Sequence, residues 1–368
     1  MLIDTTLREG AQLFGAYFNL ETRKRIASSL MNMGVDEIEL GWVGQEGLAL
    51  FASHALALGG KSELSVWSPC REKDIETAAT LGLKRINIGV PVSDLHIEKR
   101  LDSDRQAILR KLASAVRTAR SCGFEYVSVG LEDISRADGD FALSMALHAE
   151  ICGASRVRLA DSLGQLTPLA MEKLVTKFRS KLNIDIAVHC HDDFGMATAN
   201  SFTALEAGAD YADCSVLGIG ERAGISATEE LVARLTLREG NSRYSTTVLK
   251  ETCMLVSVAS KVAIPRTKAV VGTDIFACES GLHTHALSKS PELFEPYDPE
   301  SVGTARKMAV GGKSGRAAVR NALTEYGIDC GTDSLSTLTE AVRQLSLRLE
   351  RPLTRSEFIK LNDEEVYS

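Results

Sequence analysis

The chain has 368 residues, 44% of them hydrophobic and 25% charged, with a formal net charge of −7 at pH 7. That size and balance suit one large soluble domain with a smaller appendage and an ample core. The acidic excess argues against general affinity for nucleic acid or anionic membrane, and no apolar run is long enough to span a bilayer.

Eight short β-rich runs follow one another along the first 240 residues. They are LIDTTLR from Leu2, EIELGW from Glu37, LSVWSP from Leu64 and RINIGVP from Arg85, then YVSVGLE from Tyr126, RVRLADS from Arg156, IDIAVHC from Ile184 and YADCSVLG from Tyr211. Their length and composition fit buried parallel strands. Amphipathic stretches lie between them: Asn19 to Met33, Asp104 to Ser121, Asp140 to Cys152 and Thr167 to Ser180. Thr167-Pro168 is a typical helix entry, a capping residue followed by proline in the first turn. Gly34, Gly82, Gly123, Gly153 and Gly208 punctuate helix exits. Eight β–α repeats predict an α/β fold, a (β/α)8 TIM barrel over residues 1–240. Arg8, Glu9, Trp42, Ser68, Ser93, His96, Glu132, Asp161, Ser162, His189 and His191 all fall at or just past strand ends, the active face of such a barrel. A doubly wound sheet is the alternative topology, but its switch-point site would draw on few strands.

After Gly240 the rhythm changes. Helices are expected over 247–263, 317–326 and 333–349, around a glycine- and proline-rich stretch from Pro265 to Lys313 that holds His283 and His285. Residues 241–368 therefore read as a mainly helical extension. Strand-like sequence from Leu2 leaves no signal peptide, and the eight cysteines show neither CxxC nor framework spacing, so a reduced cytoplasmic setting is expected.

His189-Cys190-His191 carries the most chemistry. Side chains alternate along a strand, so the two imidazoles share one face. Such a pair is either ordinary strand-end polarity or two ligands for one divalent metal. DTTLREG at residues 4–10 favours the second, because it adds a carboxylate and a cation at another strand end.

DTTLREG, LADSLG, HCHDDFGMATAN, GIGERAG and ESGLH occur in that order. Together they resemble the acyl-CoA-condensing branch of the DRE-TIM metallolyases, the isopropylmalate, citramalate and homocitrate synthases. The resemblance runs from Leu2 to about Arg320 and is nearest to the nitrogenase-type homocitrate synthases. It implies a divalent metal (Zn, Mn or Mg) on Glu9, His189 and His191, with a 2-oxo acid and acetyl-CoA as substrates. Arg8 would stabilise the alkoxide forming at the ketone, and Gln12 would bind substrate. Glu132 and His283 match the family's acid–base pair, which requires the extension to reach a barrel mouth. Ser162 stands for the usual threonine that donates to the substrate carboxylate. GIGERAG, through Gly218, Gly220 and Gly224, would border acetyl-CoA, with Glu221 and Arg222 bracing the loop. The relatives dimerise, so a homodimer is implied.

Ile225, Cys278 and Lys313 depart from the family's asparagine, histidine and histidine. The lysine-pathway enzymes carry an arginine on strand five for the distal carboxylate of 2-oxoglutarate, and this chain has Ser128 there. Ser93, His96 and Arg71 are the candidates for that carboxylate. The expected reaction is therefore condensation of acetyl-CoA with 2-oxoglutarate to (R)-homocitrate. Oxaloacetate, pyruvate or another 2-oxo acid is the near alternative, giving a Re-citrate, citramalate or isopropylmalate synthase. A C–C lyase of the same superfamily and a non-catalytic binding homologue are the further ones.

Overall fold

The computed structural model describes residues 1–279, 287, 289–328 and 334–366. The chain divides into two compact units, Met1–Ile264 and Pro265–Ser368. In the first, eight parallel strands close into a barrel in chain order. They are β1 (Leu2–Asp4), β2 (Glu37–Trp42), β3 (Glu63–Pro69), β4 (Arg85–Pro91), β5 (Tyr126–Glu132), β6 (Arg156–Asp161), β7 (Asp185–Cys190) and β8 (Tyr211–Cys214). β1 stops at Asp4, so the rest of DTTLREG is a turn leading into a 3-10 helix at Gly10 rather than strand.

Ten helices accompany them: α1 (Leu20–Met33), α2 (Leu48–Leu58), α3 (Glu72–Ala79), α4 (Asp94–Leu101), α5 (Arg105–Ser121), α6 (Gly139–Ile151), α7 (Pro168–Arg179), α8 (Ala197–Glu206), α9 (Thr228–Leu237) and α10 (Leu249–Ser260). Side chains signal the starts: Asn19 accepts from the Thr22 amide at 2.8 Å, Asp104 from Ala107 at 2.7 Å and Thr167 from Ala170 at 3.3 Å. α1 ends on Gly34 in the left-handed region (φ 83°), where a side chain would be strained. α10, assigned to the extension from sequence, packs on α1 and lies within the first unit.

The barrel interior is filled by charge. Strand alternation sends Ile38, Val66, Ile88, Val129, Val157 and Val188 outward to the helices, all fully buried. The opposite positions turn Glu37, Glu39, Asn87, Ser128, Arg156 and Arg158 inward. Low in the barrel Arg156, 0% exposed, gives Glu37 two hydrogen bonds of 2.9 and 3.0 Å. It also donates to Ser128 Oγ at 3.0 Å and Asn87 Oδ1 at 2.9 Å. Such a pair holds only while both partners are present, because each charge has left water. Burial pushes the Glu37 carboxyl up, but the Arg156 guanidinium outweighs it and holds the group at about 2.

The second unit holds a two-stranded parallel sheet, β9 (Ala277–Cys278) with β10 (Lys307–Met308). Its helices are α11 (Arg316–Tyr326), α12 (Leu335–Leu349) and α13 (Arg355–Val366). Val319, Leu338, Val342 and Phe358 form its core. α13 goes beyond the helices read from sequence. Its signal is a capping box: the Thr354 amide donates to Glu357 Oε2 at 2.8 Å and the Glu357 amide to Thr354 Oγ1 at 3.4 Å. Among the described residues no helix is long and apolar enough to cross a membrane.

Urea unfolding should expose the buried pair. Arg156→Ala is expected to cost ~3–5 kcal/mol, whereas Glu37→Leu with Arg156→Leu stays nearer wild type than either single change. Because the folded carboxyl lies below its ordinary 4.5, Glu37 adds stability above pH 4.5 that fades as pH falls toward about 2. That part of the acid-side decline should vanish in Arg156→Ala.

Candidate active site

The coil after β1 and the glycine-rich loop after β8 are knitted together. The Thr5 amide donates to Cys214 O at 2.7 Å, and the Val216 amide to Thr6 Oγ1 at 2.8 Å. Asp4 is spent here: its carboxylate accepts from the Thr6 amide and from Thr228 Oγ1, at 2.9 and 2.7 Å. Arg8 and Glu9 are thereby turned toward the barrel axis. The Glu221 amide donates to Glu9 Oε1 at 3.0 Å and fixes that carboxylate.

The glycines of the loop are explained by its own packing. A Cβ on Gly224 would lie 1.8 Å from Gly218 O, and one on Gly220 would lie 3.0 Å from Glu9 Cγ. Gly218 (φ 67°) and Gly224 (φ 87°) also need the left-handed region. What approaches these glycines is Glu9 and the loop backbone, and none of the three lines the cavity. Arg222 braces the loop, donating to Asp193 at 2.9 and 2.8 Å and to Ser162 O at 2.6 Å.

β7 brings both imidazoles to the same mouth. His189 Nδ1 lies 2.8 Å from Asp213 Oδ2, which leaves Nε2 facing inward. His189 Nε2 is 3.3 Å from His191 Nε2 and 3.9 Å from Glu9 Oε2. Donor atoms of Glu9, His189 and His191 all lie within 4.8 Å of one another, and all three residues are buried. Burial and the neighbouring His189 push His191 down to about 3, so it keeps a free lone pair at neutral pH. Burial would raise the Glu9 carboxyl, but Arg8 and the two imidazoles overcome it and hold the group well below the usual carboxylate range. A carboxylate with two imidazoles, one of them oriented by an acid, suits Zn, Mn or Mg.

Arg8 is clamped from two sides, by Glu39 Oε2 at 2.5 Å on Nε and Glu9 Oε2 at 2.5 Å on Nη1. Gln12 Oε1 is 3.5 Å from the same Nη1. Arg8, Glu9, Gln12, His189 and His191 share a cavity of about 370 Å³ with Glu132, Ser162 and His96. Glu132 accepts from Arg100 at 2.5 Å. Gly89 is required beside it, since a Cβ there would lie 2.4 Å from Glu132 Oε1 and 2.6 Å from Trp67 Cζ2. Ser162 Oγ accepts from the Asp133 amide at 2.8 Å, and its hydroxyl hydrogen stays free to donate. His96 Nε2 is 3.2 Å from Arg136 Nη2.

Other expected residues lie elsewhere. Ser93 is 1% exposed, caps α4 and donates to Asp133, away from the cavity. Arg71 pairs with Asp74 at 2.5 Å on α3, also off the cavity. Ile225 is a core residue whose backbone bridges to His191. His283 and His285 lie outside the described residues. Arg158, Arg100 and Trp67 line the cavity and were missed. A signal for Arg158 existed: EIE at 37–39 and RVR at 156–158 place opposite charges on inward faces of two strands.

Residues 1–256 match the HMGL-like family, and residues 270–349 match the homocitrate synthase post-HMGL domain-like family. The chain belongs to the HMGL-like family. It is 38% identical to homocitrate synthase 1 of Nostoc sp., over 100% of this chain and 98% of that one. It is 36% identical to 2-isopropylmalate synthase 2 of Caldanaerobacter subterraneus, over 99% and 95%. By family the chain is an enzyme of the synthase class. A hydroxymethylglutaryl-CoA lyase from Pseudomonas aeruginosa shares the fold, with a TM-score of 0.66 at 20% identity over 73% of this chain and 95% of that one.

Cation stoichiometry tests the donor set. Full-length protein should hold about one divalent cation per chain by elemental analysis, lost in His189→Ala and His191→Ala. Asp213→Asn should weaken affinity about 10–100-fold.

Proposed function

We propose that the enzyme condenses acetyl-CoA with a 2-oxo acid, and that the acceptor is 2-oxoglutarate, giving (R)-homocitrate. The observation that carries this reading is the convergence of Glu9, His189, His191, Arg8 and Glu132 on one cavity. Glu9, His189 and His191 would hold the divalent cation. When bound, it supplies Lewis-acid polarisation of the ketone. Glu132 takes a proton from the methyl group of the acetyl thioester, and the resulting carbanion attacks the ketone carbon. Family resemblance gives Glu132 a partner in His283. Arg8, fixed by Glu39 and Glu9 before substrate arrives, stabilises the negative charge that develops on the ketone oxygen. Ser162 and Gln12 orient the acceptor. Addition of water across the thioester then releases coenzyme A and the free acid. A cytoplasmic homodimer is part of the same proposal.

A panel of 2-oxo acids with acetyl-CoA, read by thiol release, tests the reading. The expected order places 2-oxoglutarate above oxaloacetate, pyruvate and 2-oxoisovalerate. Release with none of them defeats the synthase reading. Cleavage of a 3-hydroxyacyl thioester without condensation would favour a lyase, and binding without turnover a non-catalytic homologue. Arg8→Gln should lower kcat about 100–1,000-fold while cation content is retained.

A further inference from the structure

We propose that Arg158 receives the remote carboxylate of the acceptor and makes this a site for dicarboxylic 2-oxo acids, a reading that rests on the condensing activity proposed above. Arg158 projects from β6 into the cavity and is 3% exposed. Its Nη1 donates to Glu39 Oε1 at 3.2 Å. Its Nε lies 3.1 Å from Asp213 Oδ2 but is out of line for a hydrogen bond, and Nη2 has no partner among the described residues. A guanidinium carries five N–H donors, and buried ones are seldom left unmade. Arg156, two residues earlier on the same face, is the comparison: Glu37, Ser128 and Asn87 give each of its three nitrogens a partner. An inward-facing arginine of β6 can therefore find a partner for each nitrogen, and Arg158, on the cavity wall, does not.

The strand beside it supplies the room. Gly130 on β5 is the ladder partner of Arg158, and Gly89 on β4 is the partner of Gly130. Glu132 and Trp67 demand Gly89, but no neighbour among the described residues demands Gly130. A Cβ on Gly130 would meet no atom closer than 3.7 Å, and its φ is not in the left-handed region. A glycine that packing does not require, on the cavity wall next to unmet guanidinium donors, leaves space for a ligand group.

The spacing suits a short diacid. One carboxylate, Glu39, separates Arg158 from Arg8, and another, Asp213, separates it from His189. An acceptor whose keto-acid end lies at Arg8 and His189 brings its far end to Arg158. Of the rivals, Arg100 is committed to Glu132, Arg71 to Asp74 and Ser93 to Asp133, while His96 lines the cavity with Nε2 at Arg136 and offers a single nitrogen where Arg158 offers a fork.

Calorimetry of the full-length, cation-loaded protein with 2-oxoglutarate and with 2-oxobutyrate tests this, because the second ligand lacks only the remote carboxylate chemistry. In Arg158→Gln the ratio of the two binding constants should fall about 100-fold. Arg158→Lys should recover part of it, keeping the charge but losing the fork. Gly130→Ala should weaken 2-oxoglutarate binding with an unchanged melting temperature, and it decides the matter if Arg158→Gln does not fold. A merely structural arginine acting through Asp213 and His189 would lower both ligands together and reduce cation content. That result, or Gly130→Ala binding 2-oxoglutarate as wild type does, overturns the inference. Absence of thiol release with every acceptor would instead sink the condensing reading, while the binding ratio still decides Arg158.

Discussion

A closed circuit of buried charge holds this active face together. Arg8 contacts Glu39, Glu39 contacts Arg158, Arg158 approaches Asp213, Asp213 orients His189, and His189 and Arg8 both face Glu9. Its members come from the coil after β1 and from β2, β6, β7 and β8. Charges removed from water are tolerated only where each has a partner. The circuit therefore couples barrel closure to site geometry: any of these strands out of register would leave a charge unpaired. Beneath it, Arg156 and Glu37 repeat the arrangement with a partner on every guanidinium nitrogen, which makes the lower tier structural and leaves the unpartnered nitrogens to the upper one.

The loops convert that circuit into a directed site. GIGERAG folds over on its own glycines and presents the Glu221 amide to Glu9, so the carboxylate is aimed by backbone rather than by a mobile side chain. Arg222 ties the same loop to the coil carrying Asp193 and to Ser162 O. This rigidity matters because groups that stabilise a developing charge work best when already in place. The barrel is shared with lyases at 20% identity or less, so the fold sets where chemistry happens and the side chains set which chemistry.

The second unit has its own core and its own helix signals. Tyr326 and Phe358 meet edge to face at 5.7 Å between α11 and α13, which joins the last helix to the others. α13 shows how a short polar helix escapes a reading based on apolar periodicity: RSEFIKLNDEEV has a weak apolar stripe, and its start is declared by the Thr354–Glu357 box instead.

Much was legible because it depends on local chemistry. Strand composition, helix caps and the eightfold β–α rhythm determined the barrel, and the two-residue period determined that His189 and His191 share a face. Family motifs pointed to Glu9, Arg8 and Glu132 in the same mouth. Ser93, expected at the substrate, caps α4 off the cavity, and a serine before Asp94 is a local signal for that cap. Arg158 is of another kind. Its role turns on which carboxylates reach it and on the empty side of Gly130, and those facts exist only once strands far apart in sequence are closed into one ring. Local sequence can declare a charged residue inward-facing; only the tertiary structure decides whether its charge is already spent.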